Sequence, residues 1–530
     1  MPSIRIDRIE ISDGQIAFRD AKMTAPEVLS IRALTLTSGA ADQPVSLTMA
    51  ASAGGAPFTL SGRIGPFGAL FGAPGQKLDI DLALAASGAG LSLAGTIADP
   101  TRLSGVDLRV RADIPDLAAL SGLARTELPP LRAIAGQTGL TDLDGKGGLL
   151  AGFALRDLRL AAPQIELGGE ISVTRLPRPF LGGSLRAARI DLDALRAAKP
   201  VPAPAAAVAT PAPGPGPVPT RLIPDRELPL DRLRAVDADL NLAIGELTLG
   251  GVAYRDLSGH LVLRDGALRL DPFTAILPGG PVRASLAIDA GRPVPPVALV
   301  VSAPSLALAP FLAAFALPAY AEGNLRLDAD LRGAGRSPHQ IAATLDGSVG
   351  LSMENAQFDA KRLGEALNSV EMLRNLKPGF TALRCLAVRM DLLAGAGTSR
   401  ALLLDTAPLR LSGSGGVNLG EETLALRLVT TIRLGATGIA APLNINGTFL
   451  APKVTIDAAR PSAGAGTGAG APFGLSIGKL GLDQLLPGAV SETCAHDLAI
   501  ARGQTPPESL PQAPTEPGGK PADLLRRLLR

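Results

Sequence analysis

The chain has 530 residues, of which 46% are hydrophobic, 19% charged and 3% aromatic, with no Trp. At roughly 150 residues per domain, this length allows about two to four domains. Lys and Arg number 51 against 49 Asp and Glu, a formal net charge of +2, which excludes the strong field a nucleic-acid binder needs.

Gly and Pro (61 and 46 residues) make up about a fifth of the chain, short of the roughly 25–30% that marks low complexity, so most of it should fold. With 13 Phe and 2 Tyr, the core has to be built from Leu, Ile, Val and Ala. That composition suits long repetitive β-surfaces better than an enzyme core with aromatic keystones.

Alternation of apolar and polar residues dominates from the start, placing every second side chain on one face of a sheet. In the first third it is carried by Ile16/Phe18, Val45/Leu47/Met49, Leu78/Ile80/Leu82/Leu84, Leu91/Leu93 and Leu108/Val110. Further on come Leu240/Leu242/Ile244, Leu247/Leu249, Leu261/Leu263, Leu268/Leu270, Leu325/Leu327, Leu424/Leu426/Leu428, Leu443/Ile445 and Val454/Ile456. Hairpin turns are expected at Asp13-Gly14, Asp265-Gly266, Asp346-Gly347 and Asn446-Gly447, since Asx-Gly supplies the positive φ of two-residue loops.

Helical patterns are short. Residues 116–124 and 191–197 each open with Asp as N-cap, and 359–376 is amphipathic up to Pro378-Gly379. The uncharged stretch 293–321 is long enough to test as a membrane span, but Pro304, Pro310 and Pro318 break it. It reads as a buried strand around Val297 to Val301 and a short helix near Leu306 to Leu317.

Composition gives the divisions: 1–198 and 229–458 as two β domains, 199–228 as a linker opening with a Pro/Ala/Gly-rich run, and 459–530 as a largely disordered Gly/Pro-rich tail. The opening MPSIRIDRIEIS has neither a basic n-region nor an apolar h-region, so no secretory signal or anchor is expected in the chain as written. Cys385 and Cys494 allow one disulfide, with two free thiols the preferred reading.

No catalytic constellation emerges. Gly474-Leu475-Ser476-Ile477-Gly478 matches the G-x-S-x-G nucleophile pattern, but only His496 follows and a Gly/Ala run precedes it, so a flexible hinge is the better reading. His260, His339 and His496 have no partner at ligand spacing, and His260 reads as a surface or edge residue of a strand. The run 464–470 lacks the GK[ST] ending of a phosphate loop. No catalytic residue, cofactor or metal is assigned. What remains is a long sheet with one aliphatic face, which must be buried against a second sheet or hold an apolar ligand.

Several segments resemble the AsmA family of Gram-negative envelope proteins. They are Ile6 to Asp20, Gly168 to Leu195 (with Arg178-Pro179, Leu181-Gly182, Leu185 and Asp191-Leu192-Asp193), Pro229 to Gly280, Leu411 to Val429 and Pro442 to Asp457. The resemblance spans roughly residues 1–457. It implies a mainly β fold, an elongated, curved antiparallel sheet of the repeating β-groove type related to TamB and to chorein-type bridge proteins, with a few short capping helices. It further implies a non-enzymatic, membrane-associated protein of the inner membrane and periplasm that binds phospholipid acyl chains and moves lipid between the two membranes. The alternative it leaves is an envelope scaffold affecting outer-membrane protein targeting, with its sheets packed shut. Family members usually begin with a transmembrane helix, whereas this chain begins within the first strand, which reads as a truncated or misassigned start or a dispensed anchor.

The lipid-groove candidates are Leu240, Leu242, Ile244, Leu261, Leu263, Leu268, Leu270, Leu424, Leu426 and Leu428. Each CH₂ kept from water is worth about 0.8 kcal/mol, so a ~16-carbon chain faces roughly 13 kcal/mol in an aqueous crossing that an aliphatic trough would largely remove. Twenty strands at about 4.8 Å would carry it roughly 95 Å. Which strand parity lines the trough is left open by the sequence, because a bulge swaps faces.

Overall fold

The computed structural model describes residues 7–18, 27–39, 43–66, 76–124, 126–143, 148–175, 178–197, 221–317, 321–359, 380–434, 437–456, 476–479 and 492–506. Its architecture is one large open, curved and mostly antiparallel sheet with a few short helices, as the sequence predicts.

The sheet is a meander in chain order. Its first part runs β1 (Arg8–Phe18), β2 (Glu27–Thr37), β3 (Val45–Ala53), β4 (Ala56–Ile64), β5 (Leu78–Ala86), β6 (Ala89–Asp99), β7 (Ser104–Asp116), β8 (Arg132–Asp142), β9 (Gly152–Ala162), β10 (Ile165–Thr174) and β11 (Phe180–Asp191). Every neighbouring pair here is antiparallel.

β12 (Asp237–Leu249) then pairs with β11 in parallel, from Phe180 opposite Asp237 to Asp191 opposite Thr248. The hydrogen-bond ladder therefore continues unbroken past the Pro-rich segment. A parallel pair needs a long crossover, and the 45 residues between Asp191 and Asp237 supply it.

From β12 the meander resumes through β13 (Val252–Arg264), β14 (Ala267–Leu277), β15 (Gly280–Asp289), β16 (Pro296–Ala307), β17 (Ala321–Glu322), β18 (Asn324–Ala334), β19 (Asp346–Asp359) and β20 (Phe380–Leu393). It ends with β21 (Ala396–Thr406), β22 (Leu409–Asn418), β23 (Thr423–Leu434), β24 (Thr437–Thr448), β25 (Ala451–Ile456) and β26 (Ser476–Lys479). β16 pairs directly with β18, while the two-residue β17 shares one edge of β19 with β18. The last edge of β24 is likewise shared, by β25 along one stretch and β26 along another.

The turns correct part of the sequence reading. Asp265-Gly266 is the two-residue hairpin expected, with φ of 52° and 83°. Asp13-Gly14 and Asn446-Gly447 lie inside β1 and β24, and Asp346-Gly347 opens β19. The tight turns fall at Gly54-Gly55, Ser87-Gly88, Gly250-Gly251 and Ala394-Gly395, each with both residues at positive φ. Positive φ at both central positions is what a type I′ turn needs, and Ser and Ala accept it here because Gly follows.

Helices sit at the strand ends. Asp116 receives a hydrogen bond from the Ala118 N–H (3.0 Å) at a 3₁₀ turn, Ala118–Leu120, that leads into the helix Ser121–Ala124. Asp191 caps Leu192–Ala197 through the Ala194 N–H at 2.8 Å. The Asp191 cap is the one the sequence predicts, whereas at 118–120 the N-cap position is Leu117 and Asp116 stands one residue before it. The uncharged stretch forms β16 followed by the helix Leu308–Ala314, with strand and helix in the order expected. Among the described residues no helix is long and apolar enough to cross a membrane. The amphipathic segment 359–376 lies outside the described residues beyond Asp359.

Two further corrections concern the C-terminal region. Ser476 belongs to β26, opposite Ala440, and is not part of a hinge. The helix Glu492–Ala501 docks on β20 and β21, and Cys494 forms a disulfide with Cys385 rather than remaining a free thiol. Their Cα atoms are 6.4 Å apart, inside the range a disulfide spans, though 109 residues separate them in the chain. Around the bridge, Ala387, Leu403, Leu498 and Ala501 are buried together.

Candidate functional site

Because paired residues on neighbouring strands point to the same side of a sheet, the register identifies the faces. One row of partners runs Ile11, Leu34, Met49, Leu60, Leu84, Leu91, Ala112, Gly136, Leu160, Leu167, Ala187 and Ile244, from β1 to β12. A second runs Leu240, Leu261, Leu270, Leu286, Leu299, Leu331, Gly347, Leu392, Gly397, Val417 and Leu424, from β12 to β23. Ile244 and Leu240 are even-numbered neighbours on β12, so both rows share one face. That face is predominantly apolar from β1 to β23, with glycines at a few positions.

All ten sequence candidates fall on it. Leu240, Leu242, Ile244, Leu261, Leu268, Leu270, Leu424 and Leu426 are half-buried, whereas Leu263 (5% exposed) and Leu428 (8%) are buried. The sequence did not single out Leu286, Leu299, Leu331, Leu392 or Val417, which line the same face. Their own alternation, as in Ala284/Leu286/Ile288, was the available signal.

The face is not uniformly covered. Near its N-terminal end Ile16 is 55% exposed and Leu91 42%. Toward the C-terminal end the sheet curls over it: Phe358 of β19 packs against Leu409, Leu411, Leu428 and Leu443 of β22 to β24, strands that are not its neighbours. The short helices close the rims. Leu149 of Gly148–Ala151 packs against Leu78, Ile97, Val106 and Leu108, and Leu308 packs against Met353 and Leu383.

The opposite face is mostly polar, apart from the patch of Cys385, Ala387 and Leu403 under the helix Glu492–Ala501, and in its second half it is ionically laced. Arg326 and Asp328 pair at 2.7 Å, Arg400 and Asp391 at 2.8 Å, and Arg389 reaches Asp391 at 3.5 Å. Burial alone would raise the Asp328 pKa, but hydrogen bonds from Arg326 and Ser302 outweigh it and hold the carboxyl below its usual value. His260 bonds Asp239 at 2.8 Å on this face, half-buried as a surface strand residue should be. His339 lies beside the buried Glu422 at 3.7 Å, and His496 is in the helix Glu492–Ala501. Among the described residues no group of three His, Cys, Asp or Glu is placed to hold a metal ion.

At the end of the sheet, residues 221–228 form a strap. Leu222 and Ile223 donate their N–H groups to Glu422 at 2.6 and 3.2 Å, and Leu228 donates to the Arg336 carbonyl at 2.8 Å. Asp193 ties the first β series to the second by accepting from the N–H groups of Gly250 (2.9 Å) and Gly251 (2.7 Å).

An open, curved antiparallel sheet with one continuous apolar face, rimmed by short helices, defines the class: a β-groove protein resembling the AsmA family. The sequence model of the AsmA family matches residues 154–377, the stretch in which β11 hands the ladder to β12. Over 486 residues the chain is 24% identical to the AsmA family protein YhjG of Escherichia coli (strain K12), covering 86% of this chain and 70% of that protein. The family resemblance read from the sequence is therefore shown by both comparisons. No solved structure matches.

Proposed function

We propose that this is a non-enzymatic protein of the bacterial envelope that binds phospholipid acyl chains along its apolar face and supports lipid transfer between inner and outer membrane. The observation that carries the reading is the pair of predominantly apolar partner rows that meet on β12 and together run from β1 to β23 on one face of an open sheet.

Its length supports the role. About 24 strand positions at roughly 4.8 Å make a track on the order of 110 Å, enough to shelter a chain across an aqueous gap. The half-exposed Ile16 and Leu91 favour a trough over a closed sandwich, in which a second layer would cover them. The Cys385–Cys494 disulfide supports an oxidising compartment, since such bonds persist there and are rare in the cytosol. The family resemblance supports the envelope assignment.

Native mass spectrometry with lipid extraction, on protein expressed in a Gram-negative host with envelope targeting, tests the reading. Bound phospholipid that is lost in Leu261→Asp and Leu270→Asp is expected. Protein that carries no lipid and gains none from liposomes would overturn it and leave the scaffold reading.

A further inference from the structure

The two rims of the sheet differ in its second half. One rim carries the turns from β13 to β14, β15 to β16, β18 to β19, β20 to β21 and β22 to β23, and it is charged and tied down. The chain from residue 221 to 234 runs along it: Glu422 accepts from Leu222 and Ile223, Arg336 pairs with Asp231 at 2.7 Å, and Arg234 donates to the Ala290 carbonyl at 2.8 Å. On the same rim Arg292 pairs with Asp289 at 3.1 Å.

The connections of the opposite rim are nearly uncharged. Apart from 360–379, outside the described residues, those from β14 to β22 are 278–279, 308–323 and 407–408, and Glu322 is the only charged residue in them. The longest holds the helix Leu308–Ala314, and Phe311 in it lies against Phe315 with ring centroids 4.9 Å apart. Just past the helix, Phe315 is 42% exposed and Leu317 49%. Exposed apolar residues also occur on the charged rim, but beside charge: Leu222 follows Arg221, Val294 comes shortly after Arg292, and Leu393 stands at the turn whose Ala394 N–H bonds Asp346. The helix also joins the groove, because Leu308 packs against Met353 and Leu383, and Met353 has the strand parity of Gly347 in the second apolar row.

We propose that this uncharged rim is where the groove meets a lipid bilayer, with Phe315 and Leu317 set into the bilayer interface and the helix Leu308–Ala314 standing where an acyl chain passes into the groove. The inference rests on the lipid-binding reading above and adds the side from which lipid enters. Aromatic and leucine side chains partition into a bilayer interface, whereas charged groups resist the hydrocarbon, so a rim stripped of charge is suited to that contact. The ion pairs of the other rim keep that side in water. A protein partner would form roughly one hydrogen bond per 100–200 Å² of interface, and the tip Phe315-Ala316-Leu317 has no polar side chain to make one.

The chain has no Trp, so Leu317→Trp places a single indole on this rim, and Leu393→Trp, at a position 75% exposed, places one on the other. With phosphatidylcholine vesicles whose acyl chains are brominated, the indole at 317 should be blue-shifted and quenched and the indole at 393 should not. The full chain carrying F315S/L317S should bind unbrominated vesicles about tenfold more weakly than the parent, with an unchanged circular dichroism spectrum. Binding by the parent should change little with salt, since no ion pair is made. No quenching at 317, equal quenching at the two positions, or parent-like vesicle binding by F315S/L317S would overturn the proposal. So would a parent that ignores vesicles and forms a dimer in sedimentation that F315S/L317S abolishes, which would assign the rim to a second copy of the chain. Lipid extraction separates this inference from the groove reading: lipid-loaded protein without quenching at 317 overturns the rim alone, and lipid-free protein with quenching at 317 overturns the groove and supports the rim as a bilayer contact.

Discussion

Asp256 lies in the middle of β13 with φ of 48°, a left-handed conformation that most side chains resist. Asp13, Asp157 and Asn355 repeat it in β1, β9 and β19, at φ of 53°, 50° and 50°. At each, the apolar parity changes: Ile11 gives way to Ile16, Leu155 to Leu158, Tyr254 to Leu257 and Met353 to Ala356. The local twist turns the next side chains back onto the same face, as a bulge does, so the apolar surface stays continuous where strict alternation would have broken it. Asp and Asn reach this conformation more readily than other non-glycine residues. Asp256→Val should therefore cost about 1–2 kcal/mol in chemical unfolding, while Asp256→Gly should stay within a few tenths. These bulges also explain why parity was not legible: Ile16 is out of phase with Ile9 and Ile11 in sequence and in phase with them on the sheet.

At the scale of elements, the helix Glu492–Ala501 is held by chemistry that composition concealed. Its sequence neighbourhood reads as tail, and its contact is a patch of β20 and β21 that faces away from the groove. Gly350 is part of that fit, because a side chain there would collide with the Ala501 carbonyl. Cys494→Ser should lower stability by about 2–4 kcal/mol, measured by denaturant unfolding with and without reductant, and should expose the helix to protease. Non-reducing electrophoresis of the parent after thiol blocking should show no free cysteine.

The joint between the two β series is also element-scale. Hydrogen bonds from the N–H groups of Gly251 and Gly250 hold the Asp193 carboxyl below its usual pKa. A folded-state value below the unfolded one means this contact stabilises the fold at neutral pH and is lost as pH falls through the acid range below about 4. Asp193→Asn should flatten that acid limb of the stability curve. The Asp191 cap was legible because a cap is a local rule. The helix Pro338–Ala343 has an equally local signal that was passed over: Ser337 accepts from the Gln340 N–H at 3.1 Å and Pro338 follows it.

For the whole molecule, the groove makes a graded prediction. Leu261 and Leu270 are half-buried, so Asp at either should remove bound lipid while the protein stays folded. Leu263 is 5% exposed, so Leu263→Asp should place an unpaired charge in the packed rim and cost several kcal/mol, unfolding the region. Comparing lipid content with melting temperature across these variants separates the two effects.

Period-two alternation, a scarcity of aromatics and the short helical patterns determined by themselves that this is a mainly β protein, because each is a rule acting within a few residues. Only the tertiary structure decided that the aliphatic residues of so many strands share one face. It alone joined β11 to β12 across the Pro-rich segment and brought Cys494 to Cys385. Those outcomes depend on register, bulges and long-range pairing, which are fixed by packing between residues tens to hundreds of positions apart.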